Sequence, residues 1–187
     1  MDQFTQQSPY PDPDQVPVMP LALRFGLIGG LALIVTNLVL HFAGIMDYST
    51  QMNSGAAIST AATLGILIYS ITSAIRIHRD EELGGIITFG RCVKVGVLTS
   101  AAIGLLVGLF TYFLFTVIDP SIMETIKEMT YESMDEQGLS EEEIEAAEGM
   151  MGFFLGPIWF TFVTIVAHIF YGLIISLISG AILKKEV

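Results

Sequence analysis

The sequence predicts an all-α protein: an integral membrane four-helix bundle, N-in and C-in, with a short extracytoplasmic helical insertion between helices three and four. Three observations carry that expectation. Four blocks, residues 25–46, 56–75, 95–118 and 158–183, contain no Asp, Glu, Lys or Arg. Each meets the ~20 residues that a helix needs to cross ~30 Å of hydrocarbon. Of the eight basic residues, Arg24, Arg76, Arg79, Arg91, Lys94, Lys184 and Lys185 fall on one side of such a bundle, and only Lys127 on the other. That bias places the basic side in the cytoplasm. Eleven of the nineteen acids lie between Asp119 and Glu148. The net charge of −11 therefore belongs mainly to one outer loop and does not mark an acidic soluble protein.

Composition agrees. Hydrophobic residues make up 52% and charged residues 14%, against about 25% charged in an ordinary soluble domain. Mean hydropathy is +0.66. The blocks lack the two-residue alternation over ~10 residues that marks a transmembrane β-strand. A single cysteine, Cys92, rules out an intramolecular disulfide and reads as an inert small residue near the membrane surface.

Residues 1–20 hold five prolines and no basic residue. A signal peptide needs a positive start and an apolar core, so this stretch reads as a disordered Pro-rich cytoplasmic tail. A proline-rich ligand for a partner domain is the alternative. The membrane domain then covers 21–187. Its first span carries Gly26, Gly29, Gly30 and Asn37. Its second is the most polar, with Ser59, Thr60, Thr63, Ser70, Thr72 and Ser73, and is expected to face other helices more than lipid. In the third, Gly96, Ser100, Gly104 and Gly108 recur every four residues. The fourth repeats the device with Gly172, Ser176 and Gly180. Such stripes let helices approach closely, within one bundle or between copies. Trp159 and Phe160 suit an interfacial aromatic belt.

The acidic loop 119–156 has internal structure. Asp119-Pro120 reads as an N-cap followed by proline at the first helical position. Ile122, Ile126 and Met129 share one face of a helix ending near Gly138. Ser140 followed by Glu143 fits a capping box for a second helix ending near Met151.

The polar stretch 76–94 links the second and third spans and is expected to be the cytoplasmic turn. Glu82-Leu83-Gly84-Gly85-Ile86-Ile87-Thr88-Phe89-Gly90, with Lys94-Val95-Gly96 just beyond, resembles the bacterial membrane family known as domain of unknown function 4199. Ile174-Ile175-Ser176-Leu177-Ile178-Ser179-Gly180-Ala181-Ile182-Leu183-Lys184-Lys185 and Met46-Asp47-Tyr48-Ser49 are similar too. The resemblance covers about residues 22–187, leaving out the Pro-rich tail. It implies a four-span protein of the bacterial inner membrane and carries over no functional residue.

Candidate chemistry is sparse. Gly84, Gly85, Thr88 and Gly90 can form a backbone nest for an anion such as a lipid phosphate. Arg76, Arg79, Arg91 and Lys94 are the residues expected near lipid headgroups. The simpler reading is a tight turn, with Gly84 ending one helix in a left-handed conformation and Thr88 capping the next. No Gly-Lys-Ser/Thr follows, so this is not a P-loop. Asn37 and His168 are the intramembrane polar candidates, since ionisable groups within spans mark functional sites by default. Rise per residue puts Asn37 ~10–14 Å and His168 ~16 Å from the outer side, so they can hydrogen-bond, with Thr36 or Tyr171 as further partners. His41 and His78 stand at span ends, where an interfacial position is expected. Glu141, Glu142 and Glu143 are consecutive and lack the spacing of a calcium loop.

No arrangement of catalytic residues is recognisable, and no enzyme activity, metal or cofactor is expected. The expected partners are the lipid bilayer and either further copies of the chain or another envelope protein, with no nucleic acid. A structural or accessory component of the inner membrane is the leading reading. Its rival is a small transporter or channel using polar residues of helices one, two and four. A wet cavity where those residues converge favours the rival; a dry interior closed by the small-residue stripes favours the first.

Overall fold

The computed structural model describes residues 11–46, 48 and 54–186. The first half of the Pro-rich tail, with Asp47 and Ser49, lies outside the described residues. The chain is helical throughout: α1 (Met19–Phe42), α2 (Ser54–Ile77), α3 (Phe89–Phe113), α4 (Ser121–Glu136), α5 (Glu141–Met151) and α6 (Pro157–Leu183). α2 and α3 each run on into one wider π-helical turn, His78–Glu82 and Leu114–Ile118. Leu83 N donates to His78 O and Asp119 N to Leu114 O across these turns. Four helices are long and apolar enough to cross a membrane: α1, α2 with its added turn, α3 with its added turn, and α6. The bundle has a basic end, where α1 begins and α6 ends, and an acidic end carrying α4 and α5.

Local chemistry sets the helix ends. α1 starts at Met19, six residues before the expected span, because Pro20 occupies its first turn, a position where a missing N–H costs nothing. It stops at Phe42 instead of residue 46, since Gly44 takes φ +68° just beyond and diverts the chain. Gly84 at φ +68° and Gly85 at φ +100° end the second span. Thr88 Oγ1 then accepts from Arg91 N, 3.4 Å, to cap α3 six residues before the expected start. The turn reading of this loop is therefore the observed one. The tail's residues 11–18 are not a free chain. Asp12 caps a single 3-10 turn, Pro13–Gln15, and Val16 and Val18 pack against the core.

α3 is central and packs on α6, α1 and α2. Its small residues meet those of α6 in order: Gly96 on Ser176, Ser100 on Gly172, Gly104 on His168 and Ile165, and Gly108 on Ile165. Gly180 closes the row against Cys92 and Phe89. The stripes thus lie inside the bundle. On α1, Gly26, Gly29 and Gly30 sit against Ala102, Ser70 and Leu106 in the same way. In hydrocarbon no hydrophobic force pairs helices, so close van der Waals approach between such residues supplies the attraction. The opposite faces are apolar and exposed. Leu27, Leu31, Val35 and Val39 line one side of α1, and Phe162, Val166, Phe170, Ile174 and Ile178 one side of α6. A water-soluble protein rarely exposes an apolar surface that large.

At the acidic end, Asp119 Oδ1 accepts from Ser121 N, 3.2 Å, and Ser121 Oγ, 2.5 Å. That anchors α4, whose Ile122 and Met123 bury against Leu114 and Phe115. The capping box at α5 is complete: Ser140 N and Oγ donate to Glu143 Oε2 at 2.8 and 2.9 Å, and Glu143 N donates to Ser140 Oγ at 3.4 Å.

Two outcomes follow from these contacts. A Cβ at Gly172 falls 2.1 Å from Ser100 Cβ, so Gly172→Ala is expected to destabilise by ~1–3 kcal/mol through overpacking. Gly65→Ala, with nothing within 4 Å, serves as the control; thermal unfolding in detergent compares the two. Second, the backbone N–H and then the hydroxyl of Ser140 hold the Glu143 carboxyl below its ordinary 4.5. A carboxyl lowered by folding contributes stability above 4.5 and loses it as pH falls through the folded-state value. Amide protection in the first turn of α5, with the intrinsic pH dependence of exchange divided out, is expected to fall below about pH 4.5, and to show no such fall in Glu143→Gln.

Candidate functional site

Among the buried polar groups, two histidines have opposite fates. His78 stands at the basic end and His168 on α6 within the span. Both are buried, His78 completely and His168 with 9% of its surface exposed.

His78 is fully satisfied. Its Nδ1 lies 2.5 Å from Glu82 Oε2, and its Nε2 accepts from Arg91 Nε at 2.9 Å. Glu82 stands four residues on, an ordinary helical neighbour of His78. Arg91 also donates to Val16 O and so ties down the segment before α1. Arg79 pairs with Asp80 at 2.7 Å and donates to Leu183 O at 3.1 Å. Ile87 and Lys185 exchange both backbone bonds at 3.0 Å, and Phe89 N donates to Glu186 Oε1 at 3.3 Å. His78 stands at the span end as expected, but as a buried hub that closes the basic end. Of the four residues expected near headgroups, Arg79 and Arg91 turn inward to these bonds, while Arg76 and Lys94 stay exposed.

The acidic end is open. A cavity of about 260 Å³ lies among α1, α2, α3 and α6, and Asn37, Ser59, Thr63, Thr111, Thr164 and His168 line it. His168 is eleven residues into α6, ~16 Å from the acidic end at 1.5 Å per residue. Asn37, with α1 ending at Phe42, is only ~8 Å deep. The two share the cavity but do not bond to each other. Asn37 Nδ2 donates to Leu33 O at 2.9 Å, and its Oδ1 accepts from Ser59 Oγ at 3.0 Å. Thr36 bonds to Ala32 O, and Tyr171 is exposed, so neither serves as the partner expected for them. His168 Nδ1 lies 2.7 Å from Thr164 O. A carbonyl only accepts, so the hydrogen is on Nδ1 and Nε2 presents a lone pair. Among the described residues, His168 Nε2 is the buried side-chain polar atom without a partner.

Tyr48 joins this cavity to a wider groove of about 450 Å³ under α4, lined also by Ile126, Met129, Met134 and Phe160. The groove is larger but contains no unpartnered buried polar atom. Burial, and then the Asp119 carboxylate, push the Tyr48 phenol above its ordinary value of 10, so it stays a neutral donor. Asp119 Oδ2 is 3.4 Å from His41 Nε2, which holds His41 at this rim.

Sequence reading found Asn37, His168 and the polar second span with Ser59 and Thr63, but missed Thr111 and Thr164 as their neighbours. Thr111 was recoverable, because it lies seven residues beyond Gly104 and so on the same face of α3. Ser59 and Thr63 stand four apart on the polar span that was expected to face inward. Among the described residues no group of three His, Cys, Asp or Glu side chains is placed to hold a metal ion.

The imidazole's only bond is to a carbonyl of its own helix, and its other nitrogen is desolvated without return. Leu fills a similar volume without that unmet group. His168→Leu is therefore expected to hold stability within ~1 kcal/mol of the parent or raise it, because removing an unpaired buried polar atom removes its desolvation cost. Thermal unfolding in detergent measures this. A loss of several kcal/mol would instead mark His168 as a packing residue.

A family model described as Protein of unknown function (DUF4199) matches residues 24–185, so the chain belongs to that family. No curated protein and no solved structure matches the chain.

Proposed function

We propose that this DUF4199 family member binds a small polar solute at the acidic end of its bundle, as a multi-pass protein of the bacterial inner membrane. In this reading both termini are cytoplasmic and the cavity faces away from the cytoplasm. The observation that carries it is His168, whose Nε2 is a buried acceptor without a partner among the described residues and whose side chain helps line a cavity drawn from four spans. Orientation rests on the seven basic residues at one end against Lys127 at the other.

The convergence of polar residues favours the transporter over the accessory reading for the acidic half. The basic half supports the opposite. There Ser100 and Ser176 bond to Val97 O and Gly172 O, and the small-residue stripes close without a gap. A continuous pore is not what this geometry supports. A binder that hands its solute on, or a carrier that must rearrange the basic end to release it, fits better. A purely structural or accessory bundle leaves the cavity and its unpaired nitrogen without a purpose. The stripes are used within the bundle, so a homo-oligomer or another envelope partner must meet its outer faces.

Cysteine accessibility tests the reading. In a Cys92→Ala background, Ser59→Cys and Thr63→Cys are expected to react with a membrane-impermeant thiol reagent added to intact spheroplasts. Ala74→Cys, at a fully buried position of the dry half, is expected to stay unlabelled. Labelling of the first two only after permeabilisation would reverse the orientation, and no labelling at all would mean a dry cavity.

A further inference from the structure

We infer that the cavity selects a small ammonium ion carrying N–H donors, such as a primary alkylammonium; the inference rests on the solute-binding reading above. Four lining groups have already committed hydrogens to the protein. Ser59 Oγ donates to Asn37 Oδ1, Thr111 Oγ1 to Val107 O at 3.0 Å, Asn37 Nδ2 to Leu33 O, and His168 Nδ1 to Thr164 O. What Ser59, Thr111 and His168 have left to offer is lone pairs. The Tyr48, Thr63 and Thr164 hydroxyls line the same cavity and can donate as well as accept, so the lone pairs suit a guest with N–H donors, and it is the charge at the mouth that turns away a carboxylate or sulfonate.

Charge points the same way. Neither Lys nor Arg lines the cavity, and the Asp119 carboxylate acts on Tyr48 at its rim. Eleven acids lie in the segment 119–148 at this end of the bundle. A site at the mouth of a negative surface draws cations toward it. Inside, Phe110 and Phe115 line the wall, and aromatic faces attract a cation that has left water. No carboxylate lines the cavity to bind a bare metal ion, and hydroxyl and imidazole lone pairs spaced around a chamber suit several N–H donors on one head. The volume of about 260 Å³ holds roughly eight waters at ~30 Å³ each, enough for a guest of about that many heavy atoms.

The test uses the full chain in nanodiscs with four probes: n-butylammonium, tetramethylammonium, 1-butanol and butanesulfonate. Tetramethylammonium has the charge without N–H, and 1-butanol has a donor without the charge. Butylammonium is expected to bind saturably and raise the thermal midpoint, and each of the others to bind at least about tenfold more weakly, the scale of losing hydrogen bonds from a charged donor. His168→Leu and Thr111→Val are each expected to weaken butylammonium about tenfold, with the second variant available should the first fail to fold. Equal binding of 1-butanol or butanesulfonate overturns the ammonium assignment while thiol labelling at Ser59 and Thr63 leaves the outward cavity standing. Absence of butylammonium binding to a folded protein also overturns it. Loss of labelling brings down the solute-binding reading itself.

Discussion

The close contact between α3 and α6 governs this structure. Two helices in lipid attract each other only as far as their backbones can approach, and here the approach depends on residues no larger than serine. From Gly180 against Cys92 up to Gly108 against Ile165 the row is unbroken. The next position four residues on is Tyr112, and the α3 residues facing inward beyond it are Leu114 and Phe115. The last two glycines of the row, Gly104 and Gly108, stand at the level of His168 and Val107, which line the cavity. The stripe seals the basic half, and the cavity opens beside its last turn on the side facing α1 and α2.

The two ends of the bundle treat polar groups in opposite ways. Lipid supplies no hydrogen bonds, so each buried polar group must be satisfied by the protein itself. At the basic end this rule is met in full. His78 has a partner on each nitrogen, Arg91 joins it to Val16, and Arg79 reaches the end of α6. Residues 75 and 104 positions apart in the chain are tied together, which fixes the tail, the linking turn and the carboxyl terminus as one cap. At the acidic end the rule is relaxed at one nitrogen of one histidine. Two π-helical turns mark these same ends, and such turns often accompany functional positions in helices.

Much of the fold was legible. Spans show as charge-free blocks because hydrocarbon excludes charge over a fixed length, and the caps at Thr88 and Ser140 follow from short-range hydrogen bonding that needs no knowledge of the tertiary fold. Span ends were less so: α1 begins early because Pro20 permits a first turn, and ends early because Gly44 diverts it. The stripe on α3 was visible, but whether it served the bundle or a second copy depended on which helix α3 met. The site was half legible. Asn37 and His168 stand out as polar residues in apolar runs. Ser59 and Thr63 show as part of the most polar span, but Thr111 does not, because a lone threonine hides easily in a membrane helix by bonding its own backbone. The burial of His78 was not legible because its bond to Arg91, thirteen residues on, depends on how the turn folds back.

The energetic cost of the cavity is itself informative. Leaving a buried acceptor unpaired costs ~1–3 kcal/mol, a sizeable fraction of the ~5–15 kcal/mol that holds a typical domain together. A bundle selected only for packing has an easy remedy, since leucine at position 168 removes the unmet nitrogen and keeps the volume. The same chain shows at His78 that it can satisfy a buried imidazole on both sides. Departures from local consistency tend to gather where a protein does its work. The imbalance sits in the half that is open and lined by hydroxyls, and not in the half that is closed. The fold therefore holds one end rigid and leaves the other incomplete, in a geometry that an outside guest can complete.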